Sequence, residues 1–477
     1  MTEKFDADVL IIGSGPVGLV AAIDLAHRGV TTIVVESRAY LQPPEVKSNH
    51  VAARTMERFR RLGIADRVRD AGLPPDHPHD IAFRTTVTGI ELSRVVLPSR
   101  AGRAAAHPIG ADVWWPTPEP PHRINQTFLE PLLARHAATL PQITLLNETR
   151  FGGLEQDDSG VSIDIDDVSG GDPRTLRGKF LLGADGSRSM VRKIIGATLE
   201  GDAVLQQVQS TCIRAPRLYD LMQGERAWCY YTYNTRRNGH VFTVDGTGTF
   251  LIHNSLGPDE YASDAVDRDA SIRAILGVDD GFEYEIVSTE DWTARRLVVD
   301  KLREGRVFIA GDAAHLWVPY AGFGMNAGIA DALNLTWLLG AHLGGWAGSG
   351  ILDAYEAERL PITEQVSRFA MSHQRKVSGD QIPADIEEPT AAGAESRRRL
   401  GGDARELNAQ QFAAAGLNFG YSYDASPIIR YDGGVAPEYT MDAFTPSTVP
   451  GCRAPHFWMP DGRSVYDLFS SGYSVLC

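Results

Sequence analysis

Residues Val9–Gly29, VLIIGSGPVGLVAAIDLAHRG, decide how this chain is read. Val9–Ile12 is a short apolar run of the kind that a buried parallel strand gives. Gly13-Ser14-Gly15-Pro16-Val17-Gly18 then matches G-x-G-x-x-G. Leu19–Arg28 continues with helical spacing at Leu19, Ala22, Ile23 and Ala26, and Gly29 stands where a helix C-cap belongs. The next segment, TTIVVE, is a second β-branched strand ending in Glu36, about 20 residues past the last glycine. Each part has a physical task in a dinucleotide site. Gly13 permits the tight turn, Gly15 lets the backbone approach a pyrophosphate, and Gly18 lets helix and strand pack closely. The helix start offers free N–H groups and a positive dipole end to that pyrophosphate. Glu36 can accept hydrogen bonds from the adenosine ribose hydroxyls. Glycines alone suit any tight turn; strand, glycines, helix, strand and terminal acid in this order indicate dinucleotide binding, with FAD and NAD both open.

Two further junctions repeat the pattern. FLLGADGSRSMVRKIIG (Phe180–Gly196) is an apolar strand that breaks at Gly183-Ala184-Asp185-Gly186, with a helix predicted from Ser187. In Gly305–Leu343, strand Val307–Ala310 closes on Gly311-Asp312. A loop from His315 to Tyr320 contains Pro319, and Gly322-Phe323-Gly324-Met325-Asn326 opens a long apolar helix. A strand ending in Gly-Asp presents a carboxylate at the carboxyl edge of a sheet, where ligands of such sheets bind. Asp185 and Asp312 also suit plain turns. Three such junctions in one chain are hard to explain by turns alone.

Composition narrows the class. The chain has 477 residues, 43% apolar, enough for two or three packed units. Its net charge is −15, and its longest basic run, Arg397–Arg399, lies in mixed-charge sequence, so neither nucleic acid nor anionic membrane is expected as a partner. Cys212, Cys229, Cys452 and Cys477 show no metal-type spacing and fit a reducing compartment; no metal is expected. MTEKFDAD has no apolar signal core, and no run of about 18 apolar residues occurs, so the expectation is a cytoplasmic protein without a membrane span.

Taken together, GSGPVG…VVES, GADGSRSMVR and GRVFIAGDAAH through PYAGFGMNAGIADALNLTWLL resemble the single-component FAD-dependent aromatic hydroxylases of the p-hydroxybenzoate and phenol hydroxylase type. NHVAARTMERFRRLGI (Asn49–Ile64) and INQTFLEPLL (Ile124–Leu133) belong to the same resemblance. It implies an α/β chain with a discontinuous FAD-binding, Rossmann-like domain of the glutathione-reductase type (1–80, 105–200 and 292–375). An inserted antiparallel β-sheet substrate domain (81–104 and 201–291) and a C-terminal region (376–477) complete the expected plan, and Pro450–Leu476 is similar to the start of a thioredoxin-like domain. By the same match Gly13, Ser14, Gly15, Pro16, Val17, Gly18, Glu36, Ser37 and Arg38 hold the ADP half of FAD, and Lys47 and Gln126 lie against the cofactor. Asp312 binds the ribityl chain, while Asp185 and Gly186 sit in a motif tied to both FAD and NAD(P)H. Pro319, Gly322, Gly324, Met325 and Asn326 border the flavin ring. The implied reaction uses NADPH or NADH as transient reductant, O2 and a small aromatic, phenolic substrate, with oxygen transferred through a flavin C4a-hydroperoxide. A homodimer is the expected assembly. No second G-x-G-x-x-G followed by strand and acid occurs, in keeping with relatives that lack a separate nicotinamide domain.

The residues add a reason for GFGMNAG. A helix starting near Gly324 turns its free N–H groups and positive end toward the flavin pyrimidine, stabilising the reduced anion. Ala227–Leu256 alternates at Val241–Val244 and Thr249–His253 and predicts an antiparallel sheet, which in the family roofs the substrate pocket. Trp228, Tyr230, Tyr231 and Tyr233 are its candidate substrate residues, although such a stripe is more often core. Asn49 occupies the position where phenol-hydroxylating relatives place an acidic or histidine base. Asn is not a base at neutral pH, leaving His50 as replacement or a substrate that needs no deprotonation. His315 is a loop brace or a proton carrier, with bracing the weightier reading. Ile351–Lys376 reads as helical on both sides of Pro361, and Ser378–Gly402 as a surface connection. A flavin-dependent halogenase or reductase of related fold and a non-catalytic FAD-binding protein remain as alternatives; no W-x-W-x-I-P sequence of the halogenase kind occurs.

Overall fold

The computed structural model describes residues 4–44, 47, 49–261, 266–317, 322–377, 382–470 and 472–475. The opening motif sits at the centre of the first of two sheets. Strand Ala7–Ile12 lies parallel to Thr32–Val35 on one side and to Arg174–Gly183 on the other. Ile143–Leu146 and Val307–Ile309 extend the parallel set outward. Both faces of this centre are covered, so Val9, Leu10 and Ile11 are wholly buried and the strands read as continuous apolar runs. The helix after the first strand spans Pro16–His27 and packs on the long helix Phe323–Leu343. It begins earlier than the Leu19 spacing suggests, because Pro at the first position brings a helical φ and needs no N–H partner.

The second sheet is antiparallel except where Cys229–Thr232 runs parallel to Ile81–Arg84. Its order is His315–Leu316, Glu285–Val299, Leu199–Arg214, Thr249–Ser255, Gly239–Thr243, Cys229–Thr232, Ile81–Arg84 and Glu91–Val95. Two of these strands are long: Leu199–Arg214 and Glu285–Val299 have 16 and 15 residues. The domain boundaries expected at 200/201 and 291/292 therefore fall inside strands. Glu285–Val299 runs on to meet His315–Leu316, and bulges at Ile286/Ser288 and Ala294/Arg296 interrupt its pairing with Leu199–Arg214. Bulges shift the side-chain alternation and hide such a strand from pattern reading.

Strand Cys229–Thr232 is buried on both faces. Tyr230 packs with Ile272, Ile275 and Leu276 of helix Arg268–Leu276. Cys229 and Tyr231 face Ala404 and Phe412 of helix Ala391–Phe412. That second helix corrects the surface connection expected over Ser378–Gly402. Thr390 caps it by accepting from the Gly393 N–H, and a Cβ at Gly401 would stand 2.7 Å from the Leu92 carbonyl oxygen. Its first turns approach the sheet through small residues, so they carry little apolar periodicity. Ala354–Val377 is a single helix with Pro361 inside it. Beyond Pro450 the described residues hold one isolated β-bridge, Trp458 with Ser464, and the 3₁₀ turn Val465–Leu468. This tail is pinned to helix Ala53–Arg61 by Arg453 on Glu57 at 2.5 Å and Arg60 on Asp467 at 2.8 Å. Among the described residues no helix is long and apolar enough to cross a membrane.

Candidate active site

The three glycine junctions meet. A Cβ built at Gly13, whose φ is +103°, would lie 2.4 Å from the Ala184 carbonyl oxygen, so the first junction rests on the second. A Cβ at Gly311 would lie 2.9 Å from Val17 Cγ2, bringing the third against the first. Arg192 closes the ring by donating from Nη1 to the Ala313 carbonyl at 3.0 Å. Gly18 is equally pressed, its Cβ falling 2.0 Å from the Gly13 oxygen, whereas a Cβ at Gly15 would meet no protein atom within 4 Å. The protein's own packing thus demands the first and last glycines of the motif. The middle one borders a cradle that a methyl group would enter.

Glu36 is already organised for its task. Oε2 accepts from the Ser14 N–H at 2.9 Å and from Ser14 Oγ at 2.8 Å, and Oε1 accepts from the Arg38 N–H at 2.9 Å. Arg38 spans Glu36 and Glu130, at 3.2 and 3.1 Å. Burial alone would raise the carboxyl pKa. The Arg38 side chain, its backbone N–H, its charge and the Ser14 N–H outweigh burial and bring it from 4.5 to about 2. Stability from this group is therefore complete above pH ~4.5 and lost as pH falls toward ~2, on the order of 3 kcal/mol in all. Acid unfolding followed by tryptophan fluorescence is expected to be shallower over that window in Glu36→Gln than in the parent. The same variant is expected to retain FAD at least about tenfold less tightly by equilibrium dialysis. Ser14, Arg38, Leu41, Gln42, Glu130 and Ala134 line a narrow groove beside this carboxylate. Ser37 is exposed at its edge.

The start of the long helix is the other pole of the site. Gly322, at φ +61°, is its N-cap and provides no side-chain cap. Asn326 is wholly committed to holding this end. Its Oδ1 accepts from the Ala52 N–H and Thr55 Oγ1, each at 2.8 Å, and its Nδ2 donates to the His50 and Gly322 carbonyls at 3.1 and 2.8 Å. The Met325 side chain goes into the core, and Gly324 has open space beside it. Asp312 is exposed next to Gly311, and its carboxylate accepts no hydrogen bond among the described residues. Pro319 lies outside the described residues.

His315 is a brace. Its Nε2 lies 2.7 Å from Asp331 Oδ2, Arg359 Nε donates to Asp331 Oδ1 at 2.8 Å, and the Gly311 N–H reaches Oδ2 at 3.3 Å. This buried triad fixes the Gly311-Asp312 turn from behind. The Asp185 carboxylate likewise serves its own helix, accepting from Ser189 Oγ and from the N–H groups of Met190 and Val191. The helix consequently spans Met190–Ile194 with Ser189 as N-cap and does not begin at Ser187. Gly186 is open beside it at φ +76°. Gln126 opens helix Gln126–Ala137, and Lys47 pairs with Glu290 at 3.4 Å. Asn49 is buried; its Oδ1 accepts from Asn125, the N-cap of that helix, and its Nδ2 donates to the Lys47 carbonyl at 3.2 Å.

Of the four aromatic candidates, Tyr230 and Tyr231 are core, with Tyr231 Oη accepting from Gln411 Nε2 at 3.0 Å. Tyr233 is half-buried and packs on Phe83. Trp228 alone connects the second sheet to the long helix's start. Arg123 lies over its ring at 3.7 Å, and Arg123 Nη1 donates to His50 Nδ1. A guanidinium can only donate, so Nδ1 is the acceptor and Nε2 carries the proton. Burial first, then the charges of Arg123 and His122, hold His50 well below its ordinary pKa. The geometry therefore makes His50 a neutral hydrogen-bond donor and disfavours it as a base. Arg123 is missed by sequence reading, because its partners stand 73 and more residues away.

These features fit FAD: an ionised acid beside a narrow groove, a glycine cradle at one helix start, a second uncapped helix start and a carboxylate free of hydrogen bonds among the described residues. The arrangement is that of a flavoprotein. Residues 6–370 match the FAD binding domain family, and the chain belongs to it. Among its relatives is the phenol 2-monooxygenase of Pseudomonas sp. (strain EST1001), 29% identical over 98% of this chain and 77% of that protein. The rebeccamycin biosynthetic enzyme RebC, solved with reduced flavin, is 33% identical over 98% of this chain and 85% of its own, with a TM-score of 0.85. Aklavinone-11 hydroxylase, solved with FAD and aklavinone, is 28% identical over 98% and 83%, with a TM-score of 0.80. The cofactor is FAD.

Proposed function

We propose that this chain is an FAD- and NAD(P)H-dependent monooxygenase that hydroxylates an aromatic, phenol-type compound. The observation that carries the reading is the meeting of three strand–glycine–helix junctions at one place, to which Trp228, Arg123 and His50 join the second sheet. FAD, when bound, supplies hydride acceptance from NADH or NADPH and activation of O2. The chain's part is to hold and polarise it. Ser14, Gly15 and Glu36 would hold the adenosine diphosphate end, and Asp312 would offer its carboxylate to the ribityl hydroxyls. The N–H groups of the first turn of Phe323–Leu343 stabilise negative charge on the flavin pyrimidine, which Asn326 and Gly322 keep in position. The phenolic substrate is inferred from the relatives that act on phenol and on aklavinone. Asn49, engaged with Asn125, offers no base, so the substrate arrives ionised or reacts without losing a proton.

Incubating the FAD-loaded protein with NAD(P)H, isotopically labelled O2 and a panel of phenols and aromatic acids tests this directly. One labelled oxygen is expected in a ring product. Rapid NAD(P)H consumption without label in any product would remove the hydroxylase reading and favour a reductase.

A further inference from the structure

Arg123 is a positive charge folded into the interior with no direct ion pair among the described residues. It is 2% exposed. Its one hydrogen bond among the described residues goes to a neutral imidazole, that of His50, and its flat face is taken by Trp228. Asp112, the carboxylate that acts most on it, gives Oδ2 to Arg103 at 2.6 Å and keeps Oδ1 buried without a hydrogen-bond partner. The surroundings add neutral polar groups and, from Arg103, Arg100 and Arg69, further positive charge. His79 and His122 are buried, their rings 6.0 Å apart, with both nitrogens of His122 and Nε2 of His79 unpartnered. The Trp228 indole N–H is unpartnered as well. Burial and the neighbouring arginines keep all three histidines uncharged.

A buried cation hydrogen-bonded only to a neutral group is poorly compensated, and an anion arriving beside it offsets that penalty through charge-assisted, two-pronged hydrogen bonds. A metal does not suit the place. Arginine repels it, and among the described residues no group of His, Cys, Asp and Glu is arranged to hold one. The location points to the substrate. The His50 carbonyl accepts from Asn326 at 3.1 Å, and a Cβ at Gly322 would stand 3.0 Å from His50 Cβ, so Arg123 is one residue removed from the start of the long helix. Trp228 places it at the same time on the second sheet.

We propose that Arg123, oriented by His50 and Trp228, binds an anionic oxygen of the aromatic substrate, a carboxylate or an ionised phenol. The proposal rests on the hydroxylase reading for its location and adds the charge of the ring that is taken. It also accounts for Asn49 at the position of a base: a ring that enters as an anion needs none.

Binding to the FAD-loaded protein, read from the perturbation of the flavin absorption spectrum, tests it without turnover. Benzoate against benzamide probes a carboxylate; 4-nitrophenolate against 4-nitroanisole probes an ionised phenol. At least one anion is expected to bind about 10- to 100-fold more tightly than its neutral partner, and the arm that shows the preference identifies the group. In Arg123→Gln that preference is expected to fall below about threefold, and Arg123→Lys is expected to keep part of it. Equal binding within both pairs by the parent protein, no spectral response to any of the four, or a preference unaltered in Arg123→Gln would each overturn the proposal. The parent measurement decides even where a variant does not fold. Labelled-oxygen incorporation in the same preparation keeps the two readings apart, since a protein that hydroxylates neutral rings without preferring the anion overturns this subsite alone.

Discussion

Gly18→Val is expected to be recovered without flavin. The β-carbon of the new side chain falls 2.0 Å from the Gly13 carbonyl oxygen, which is backbone and not a movable side-chain tip. Gly13 has little room to retreat, because the space where its own Cβ would stand is closed by the Ala184 carbonyl oxygen, 2.4 Å from that position. Ordinary overpacking costs about 1–3 kcal/mol through side-chain adjustment. Here two junctions must part, and an effect of at least about 4 kcal/mol is expected, or about a thousandfold in FAD retention. Flavin absorbance per polypeptide after gel filtration measures it. Gly15→Ala is the informative contrast. It meets no protein atom within 4 Å, so its apoprotein is expected to melt within about 1 kcal/mol of the parent while its FAD affinity drops. Equal flavin content in Gly18→Val and the parent would contradict the convergence of the junctions.

Asp331→Ala is expected to be the most destabilising single change away from the glycines. Removing this carboxylate leaves Arg359 buried at 2% exposure without a counter-charge, takes the partner from His315 and frees the Gly311 N–H. Truncating one member of such a buried pair costs about 3–5 kcal/mol. Urea denaturation should show the loss as a lower midpoint at an unchanged slope. Because the triad stands behind the Gly311-Asp312 turn, weaker FAD binding is expected to accompany it. A variant within about 1 kcal/mol of the parent would mean that the turn is held by other contacts.

Legibility in the sequence follows the range of the interactions. Each strand–glycine–helix junction is written within a few consecutive residues, so its existence, its glycines and the acid at Glu36 were readable. Their meeting was readable only as repetition; the contact of Gly13 with Ala184 joins segments far apart in the sequence. Asp185 shows how a correct motif hides a local role. GADGSRS contains several capping residues in a row, and only the geometry shows that Asp185 and Ser189 together start the helix at Met190. The aromatic stripe split as alternation demands, with Tyr230 to one face and Tyr231 to the other, while Trp228, just before the strand, stacks under Arg123. Arg123 and the triad of His315, Asp331 and Arg359 were illegible because each is a pairing of opposite or orphan polarity across distant segments. Helix Ala391–Phe412 was hidden for a different reason: it meets its sheet through Gly401 and Ala404, which leave no hydrophobic periodicity.

That last helix has a further bearing on how such proteins diversify. The outer wall behind Tyr231 is built from sequence downstream of every glycine junction, and a short stretch at 382–390 precedes it. A crossover placed there swaps the backing of the aromatic sheet between homologues together with the tail whose Asn418, Arg453 and Asp467 hold helix Ala53–Arg61. Chimaeras cut at that point exchange the sheet's outer wall and this clasp in a single step.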